Sequence, residues 1–210
     1  VEVASFVFND FQENTYILHD ESGECIIIDP GCNNDIEKIR LKEYIIARDL
    51  KPVKLINTHC HIDHILGNQF IVDEYNLYLI AHAGEQIVLD HAMQVAEMYG
   101  IHFKGSPDIT ETVEEGDFIS FGNQKLEVIF TPGHSPASIS LYNKESGSLI
   151  AGDVLFQGSI GRTDLPGGDH ETLLKMIREK LFVLPEDTMV YPGHGSSTLI
   201  GVEKKTNPFF

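Results

Sequence analysis

A chain of 210 residues, 42% hydrophobic and 22% charged, is long enough for a large buried core and too ordinary in composition for a disordered one. Its 15 Lys and Arg stand against 32 Asp and Glu, a formal net charge of −17, which argues against nucleic acid and anionic membrane surfaces because phosphates are held mainly by cations. No apolar run reaches the ~18 residues of a membrane span. The opening VEVASFVFND shows no secretory pattern, and Cys25, Cys32 and Cys60 form an odd set without C-x-x-C spacing, so a reducing compartment, the cytoplasm by default, is expected.

The first third predicts short strands at VASFVF, NTYILH and ECIIID, the last ended by Pro30-Gly31. A helix opens near Asn34, with Glu37 three residues on as its capping-box partner and Ile36, Ile39 and Ala47 along one side. Beyond Pro52, Val53–Ile56 reads as a buried strand, Ile62–Glu74 as helix, Leu77–Ala81 as strand and Ala83–Met98 as helix. That last helix carries apolar Ile87, Val95 and Met98, which are expected to pack on their own sheet rather than support a dimer. Strands follow at Asp117–Phe121, Lys125–Thr131, Ser138–Asn143 and Ser148–Ala151, then a helix over Glu171–Leu181 with Leu174, Ile177 and Leu181 at helical spacing, then a short strand at Val190-Tyr191. No linker or internal repeat divides the chain, so residues 1–210 read as one domain of two sheets faced by helices.

The chemistry concentrates in Thr58-His59-Cys60-His61-Ile62-Asp63-His64, directly after the strand Val53–Ile56. Four ligand-type side chains in six positions serve no packing purpose. His59 and His61, two apart, can point the same way from an extended turn. Asp63 and His64 follow where a helix begins, so the cluster can serve two ions. Three later strand-to-loop junctions offer the remaining ligands: His134 in Thr131-Pro132-Gly133-His134, Asp153 in Ala151-Gly152-Asp153, and His194 in Pro192-Gly193-His194-Gly195. Imidazole and carboxylate suit zinc, iron or manganese better than magnesium or calcium. A structural zinc site would be four-coordinate and Cys-rich, which this set is not. Cys60 is read as packing, and His19, His82, His91, His102 and His170 as non-ligands.

T-H-C-H-I-D-H, T-P-G-H, G-D and P-G-H-G, in that order, closely resemble the metallo-β-lactamase superfamily and, within it, the glyoxalase II-like hydrolases. Gly161-Arg162-Thr163-Asp164-Leu165-Pro166-Gly167-Gly168 resembles their short, single-domain branch. The resemblance runs from Asp29-Pro30-Gly31 to Asn207-Pro208-Phe209-Phe210 and implies an α/β fold, an αββα sandwich with the metals at one edge. It implies that His59, His61 and His134 hold one divalent metal, most readily zinc, with iron or manganese as alternatives. Asp63, His64 and His194 would hold the second, Asp153 would bridge both, and Asp63 and His194 would also be catalytic. The implied reaction is hydrolysis of a small-molecule thioester such as S-lactoylglutathione by a hydroxide shared between the metals, with a metal stabilising the oxyanion.

Full-length glyoxalase II proteins add a C-terminal helical extension that binds glutathione, and the expectation is that this half of the thiol site is missing. Arg162 sits where the family places a basic residue for the substrate, although a pairing with Asp164 is an equal reading. Tyr142 and Phe156 are candidate pocket residues. A mononuclear-iron persulfide dioxygenase is the alternative on the same scaffold. A nuclease or phosphodiesterase would want a basic exosite, a β-lactamase generally lacks the acid that Asp153 offers, and a non-catalytic module has no chemical reason to keep seven ligands.

Overall fold

The computed structural model describes residues 1–210. The chain opens with β1 (Glu2–Phe8), β2 (Glu13–His19) and β3 (Glu24–Ile28), crosses through α1 (Asp35–Ala47) to β4 (Lys51–Ile56), then runs through α2 (Ile62–Ile65) and α3 (Asn68–Tyr75) to β5 (Leu79–Ala81). After α4 (Gln86–Asp90), α5 (Ala92–Tyr99) and β6 (Glu111–Thr112) come β7 (Phe118–Phe121), β8 (Gln124–Phe130), β9 (Ile139–Asn143) and β10 (Ser148–Gly152). A small hairpin, β11 (Leu155–Phe156) with β12 (Ser159–Ile160), precedes α6 (His170–Met176), β13 (Met189–Pro192), β14 (Thr198–Leu199) and α7 (Ile200–Thr206).

Two six-stranded sheets result, ordered β1-β2-β3-β4-β5-β6 and β14-β13-β10-β9-β8-β7. In the first, β1–β3 are antiparallel and β3–β6 parallel. In the second, β7–β10 are antiparallel and β13 joins β10 in parallel. Strand alternation divides the apolar residues into layers. In β3, Ile26 and Ile28 face the second sheet, while Cys25 and Ile27 face the helices with Leu41 of α1 and Ile71 of α3. In β10, Ile150 joins the layer between the sheets, while Leu149 and Ala151 pack under Leu173 of α6 and Ile200 of α7. Helix, sheet, sheet, helix is the expected αββα order.

Five expectations about side chains and elements are corrected. The α1 capping box is present, Asn34 accepting from the Glu37 amide at 3.0 Å, but the buried face is Leu41 and Ile45, and Ile36 and Ile39 are exposed. Apolar residues encircle this helix, so spacing alone did not select the face that meets the sheet. The helix over 62–74 is two helices, because Gly67 lies against the Pro30–Cys32 turn, its amide donating to the Pro30 carbonyl at 2.7 Å where a Cβ would strike Cys32. The helix over 83–98 breaks at His91, whose ring donates to the Ile87 carbonyl at 2.7 Å while its amide turns to Val88. Ile87 and Met98 do not pack on the sheet: they are 62% and 83% exposed. The helix over 171–181 ends in a wider turn at Ile177–Leu181. No helix is long and apolar enough to cross a membrane.

Candidate metal centre

Four strands deliver the seven sequence-selected ligands to one edge of the sandwich. His59 follows β4, His61 precedes the first turn of α2, and Asp63 and His64 lie in that turn. His134 follows β8, Asp153 follows β10 and His194 follows β13. Ligand atoms of His59, His61 and His134 lie within 4.8 Å of one another, and so do those of Asp63, His64 and His194. Between the triads, Asp153 places Oδ1 3.5 Å from His64 Nε2 and Oδ2 3.5 Å from both His134 Nε2 and His194 Nε2.

Four of the five imidazoles are oriented by their other nitrogen, which settles the face each turns to the centre. His134 Nδ1 donates to the Arg162 carbonyl at 2.7 Å, and His194 Nδ1 donates to the Phe11 carbonyl at 3.1 Å. His64 Nδ1 donates to Asp29 Oδ2 at 3.2 Å; His59 Nδ1 donates to Thr58 Oγ1 at 3.1 Å, and that hydroxyl donates to Asp29 at 2.6 Å. The ring nitrogens left over point at one another: His61 Nδ1 is 2.9 Å from His134 Nε2. His59 Nε2, His64 Nε2 and Asp153 Oδ1 are buried without any hydrogen-bond partner. Buried polar atoms left unpaired are costly, and here their lone pairs converge as a cation requires. The residues therefore fit a pair of divalent metals.

Charge tells the same story. Burial drives His59 well below the ordinary imidazole range and His61 down to about 3, the neighbouring His134 adding to the latter. His134 is lowered by burial as well. Burial also opposes the charged forms of His64 and His194, yet Asp63 and Asp153 outweigh it and raise both. The same imidazoles hold Asp63 and Asp153 below the usual carboxylate range against burial. His59, His61 and His134 are thus held in the neutral, ligating state and Asp63 and Asp153 in the ionised one, while His64 and His194 must give up a proton to ligate.

Several acids that sequence reasoning passed over hold this centre in place. Asp29 also lies within reach of His59 and His64, but its oxygens accept from the Thr58 amide, Asn57, the Thr58 hydroxyl and His64, so it orients ligands. Its signal was an acid closing the apolar strand ECIIID. Glu85 is buried and accepts from the Cys60 amide at 2.8 Å, the Ser135 hydroxyl at 2.7 Å and the Ala137 amide at 2.8 Å, which ties the His59–His61 and His134 loops together. Asn14 clamps the His194 loop through the Pro192 and Gly195 carbonyls, and Tyr16 donates to the Pro192 carbonyl at 2.6 Å. Neither Glu85 nor Asn14 had a sequence signal. Cys60 is core, its thiol pushed up by burial.

The centre opens into a cleft of about 910 Å³, with Phe11, Ile87, Met98 and Tyr99 on one wall and Phe156, Ile160, Leu165 and Pro166 on the other. Phe156 lies edge-on to His194 at 6.3 Å. Tyr142 is corrected: it is 6% exposed in the layer under α6 and α7, because its position in β9 points away from the inter-sheet face that Leu141 occupies. Arg162 lines the cleft and forms a two-pronged pair with Asp164, at 2.7 and 2.8 Å, the pairing that was the second reading of it.

Residues 8–194 match the family model described as the metallo-β-lactamase superfamily. Among curated relatives, the chain is 41% identical to a probable metallo-hydrolase, YqgX, of Bacillus subtilis over 94% of this chain and 92% of that one. It is 34% identical to the hydroxyacylglutathione hydrolase GloC of Haemophilus influenzae over 95% and 93%. Among solved structures, BLEG-1, titled a B3 metallo-β-lactamase, superposes with a TM-score of 0.90 at 36% identity, covering 99% of each chain. A di-iron-bound form of TTHA1623 superposes at 0.86 with 33% identity over the whole of both chains. ETHE1 from Myxococcus xanthus superposes at 0.81 with 25% identity, covering 99% of this chain and 84% of that one.

Proposed function

The chain belongs to the metallo-β-lactamase superfamily, and on that premise we propose that it is a binuclear metal-dependent hydrolase that cleaves thioesters of the S-lactoylglutathione kind. The observation that carries this reading is Asp153 set between two triads, with unpaired buried atoms on both sides of it. His59, His61 and His134 would hold one ion, Asp63, His64 and His194 the other. Two bound divalent cations would supply a water acidic enough to act near neutral pH and electrophilic stabilisation of the carbonyl oxygen.

The chain's own residues do the positioning. Asp63 lines the cleft with its Oδ2 3.1 Å from His194 Nε2, which leaves its carboxylate placed to orient a nucleophilic water as well as to ligate. His194 is itself oriented by the Phe11 carbonyl that accepts from its Nδ1. Phe156 and Ile160 line the cleft beside the centre, Phe156 edge-on to His194. A thiolate leaves readily, so no strong general acid is needed at the leaving group. The GloC relative supports the thioester preference.

The test is thiol release from S-lactoylglutathione by the metal-loaded protein, run beside a β-lactam and beside oxygen uptake with a persulfide. Thioester cleavage as the fastest of the three is expected. Faster β-lactam opening, the reading that the BLEG-1 likeness favours, or oxygen uptake with one iron per chain would overturn the proposal.

A further inference from the structure

Away from the metal centre the cleft is lined mainly by apolar side chains, with His91, Gln94, Ser159 and Arg162 as the polar ones, although the molecule carries a net charge of −17. Ile87, Met98 and Tyr99, at 62%, 83% and 54% exposure, stand at its mouth. Tyr99 meets Phe11 edge-on at 5.6 Å, so α5 and the β1–β2 turn form one continuous apolar wall. Exposed apolar side chains gathered in this way mark a ligand groove far more than an idle surface. The groove is also continuous with the centre: His61, Asp63, His134, Asp153 and His194 form its floor.

Charge decides what can lie there. Arg162 is the one Lys or Arg among the lining residues, and both prongs of its guanidinium are engaged by Asp164. A carboxylate- or phosphate-bearing thiol carrier would find no free cation along the walls, while the acyl half of a thioester can be pure hydrocarbon.

We propose that the groove from Asp63 and His134 out to Ile87, Met98 and Leu165 is an acyl-chain subsite, and that the preferred substrates are thioesters of uncharged hydrocarbon acyl groups, the thiol half facing solvent. This rests on the thioester-hydrolase reading of the same centre. Water adds its oxygen to the acyl carbon, the carbon–sulfur bond breaks, and one proton passes to the departing thiolate, leaving a carboxylic acid and a thiol. Each added methylene removed from water along such walls is worth about three- to fourfold in binding, so selectivity grows with chain length until the groove is filled.

The experiment is a series of N-acetylcysteamine thioesters from acetyl to decanoyl, beside S-lactoylglutathione, with the metal-loaded protein. A parallel calorimetric titration uses non-cleavable ketone analogues with methylene in place of sulfur. Expected is a rise in kcat/KM of about threefold per methylene over several members, and affinities of the analogues that rise in parallel. Met98→Glu and Leu165→Glu are each expected to lower the decanoyl-to-acetyl ratio about tenfold or more. A series flat in chain length in both assays, or charged S-lactoylglutathione preferred over every hydrocarbon member, overturns the inference and leaves the hydrolase reading standing. Analogue affinities that climb with chain length while no thioester is cleaved support the subsite and overturn the hydrolase reading.

Discussion

Asp153 is the residue on which both triads depend. Its two oxygens are divided between His64 on one side and His134 and His194 on the other. Asp153→Ala is expected to reduce metal content below that of the parent protein and hydrolysis by more than about 100-fold; elemental analysis and thiol release read both. Gly193 gives an independent check, since a Cβ there would overlap the Asp153 carboxylate and strike His64. Gly193→Ala removes no ligand, yet should lower metal affinity in the same direction. Asp63→Ala that retained full activity with full metal content would remove the second role given to Asp63. Protonation supplies a further prediction. In the metal-free centre His64 and His194 are raised, so they hold protons to higher pH than ordinary imidazoles. Metal uptake must eject those protons, so affinity rises with pH through the neutral range, and calorimetry in buffers of different ionisation enthalpy should show net proton release. Uptake with no proton release would contradict the charge distribution described here.

At the level of elements, His134, Asp153 and His194 lie in the loops that leave β8, β10 and β13, and His59 to His64 run from the end of β4 into the first turn of α2. Glu85 shows how much depends on the segment before α4: it accepts from Cys60, Ser135 and Ala137 and so sets the distance between two ligand loops. Glu85→Gln puts an NH2 where a hydrogen bond must be accepted. It should cost about 1–3 kcal/mol of stability and about 10- to 100-fold in metal affinity. Asn34→Ala at the α1 cap, whose side chain accepts from the Glu37 amide and bonds none of the seven candidate ligands, is the contrast: about 1 kcal/mol, or about 3 °C in Tm, with hydrolysis and metal content unchanged. A differential scanning experiment paired with metal analysis separates the two.

These elements also show what was legible in advance. The junctions were readable because a dense His and Asp run after one apolar strand, and Gly with His or Asp after three others, are local patterns, and the seven side chains picked out from them are the ones the structure brings together. The α1 cap was readable for the same reason. The face of α1, the break at Gly67 and the outward turn of Ile87 and Met98 were not. Each depends on what a distant segment does: the sheet under Leu41, the Pro30–Cys32 turn, and the cleft opposite α5. Tyr142 failed through a single residue of strand parity. Glu85 and Asn14 were invisible because their partners lie dozens of residues away, up to Gly195 in the case of Asn14.

Over the whole molecule, two sheets pack apolar faces against each other and leave one shared edge where β4, β8, β10 and β13 all end. The edge is thus held by both sheets, and Asn14 and Tyr16 of the first clasp the His194 loop of the second. Metal bound across that edge should stabilise the chain as a whole, because the native arrangement binds it and the unfolded chain does not. Chelation is expected to lower Tm, and readdition of zinc, manganese or iron to restore it, most for the resident ion. The central claim is that one centre of seven ligands holds two ions. The most direct test is metal content per chain by elemental analysis of protein purified without added metal or chelator and then saturated and desalted. Two ions per chain, falling to one or none in Asp153→Ala, is the predicted result. One ion per chain at saturation, unaffected by Asp63→Ala or His194→Ala, would contradict it.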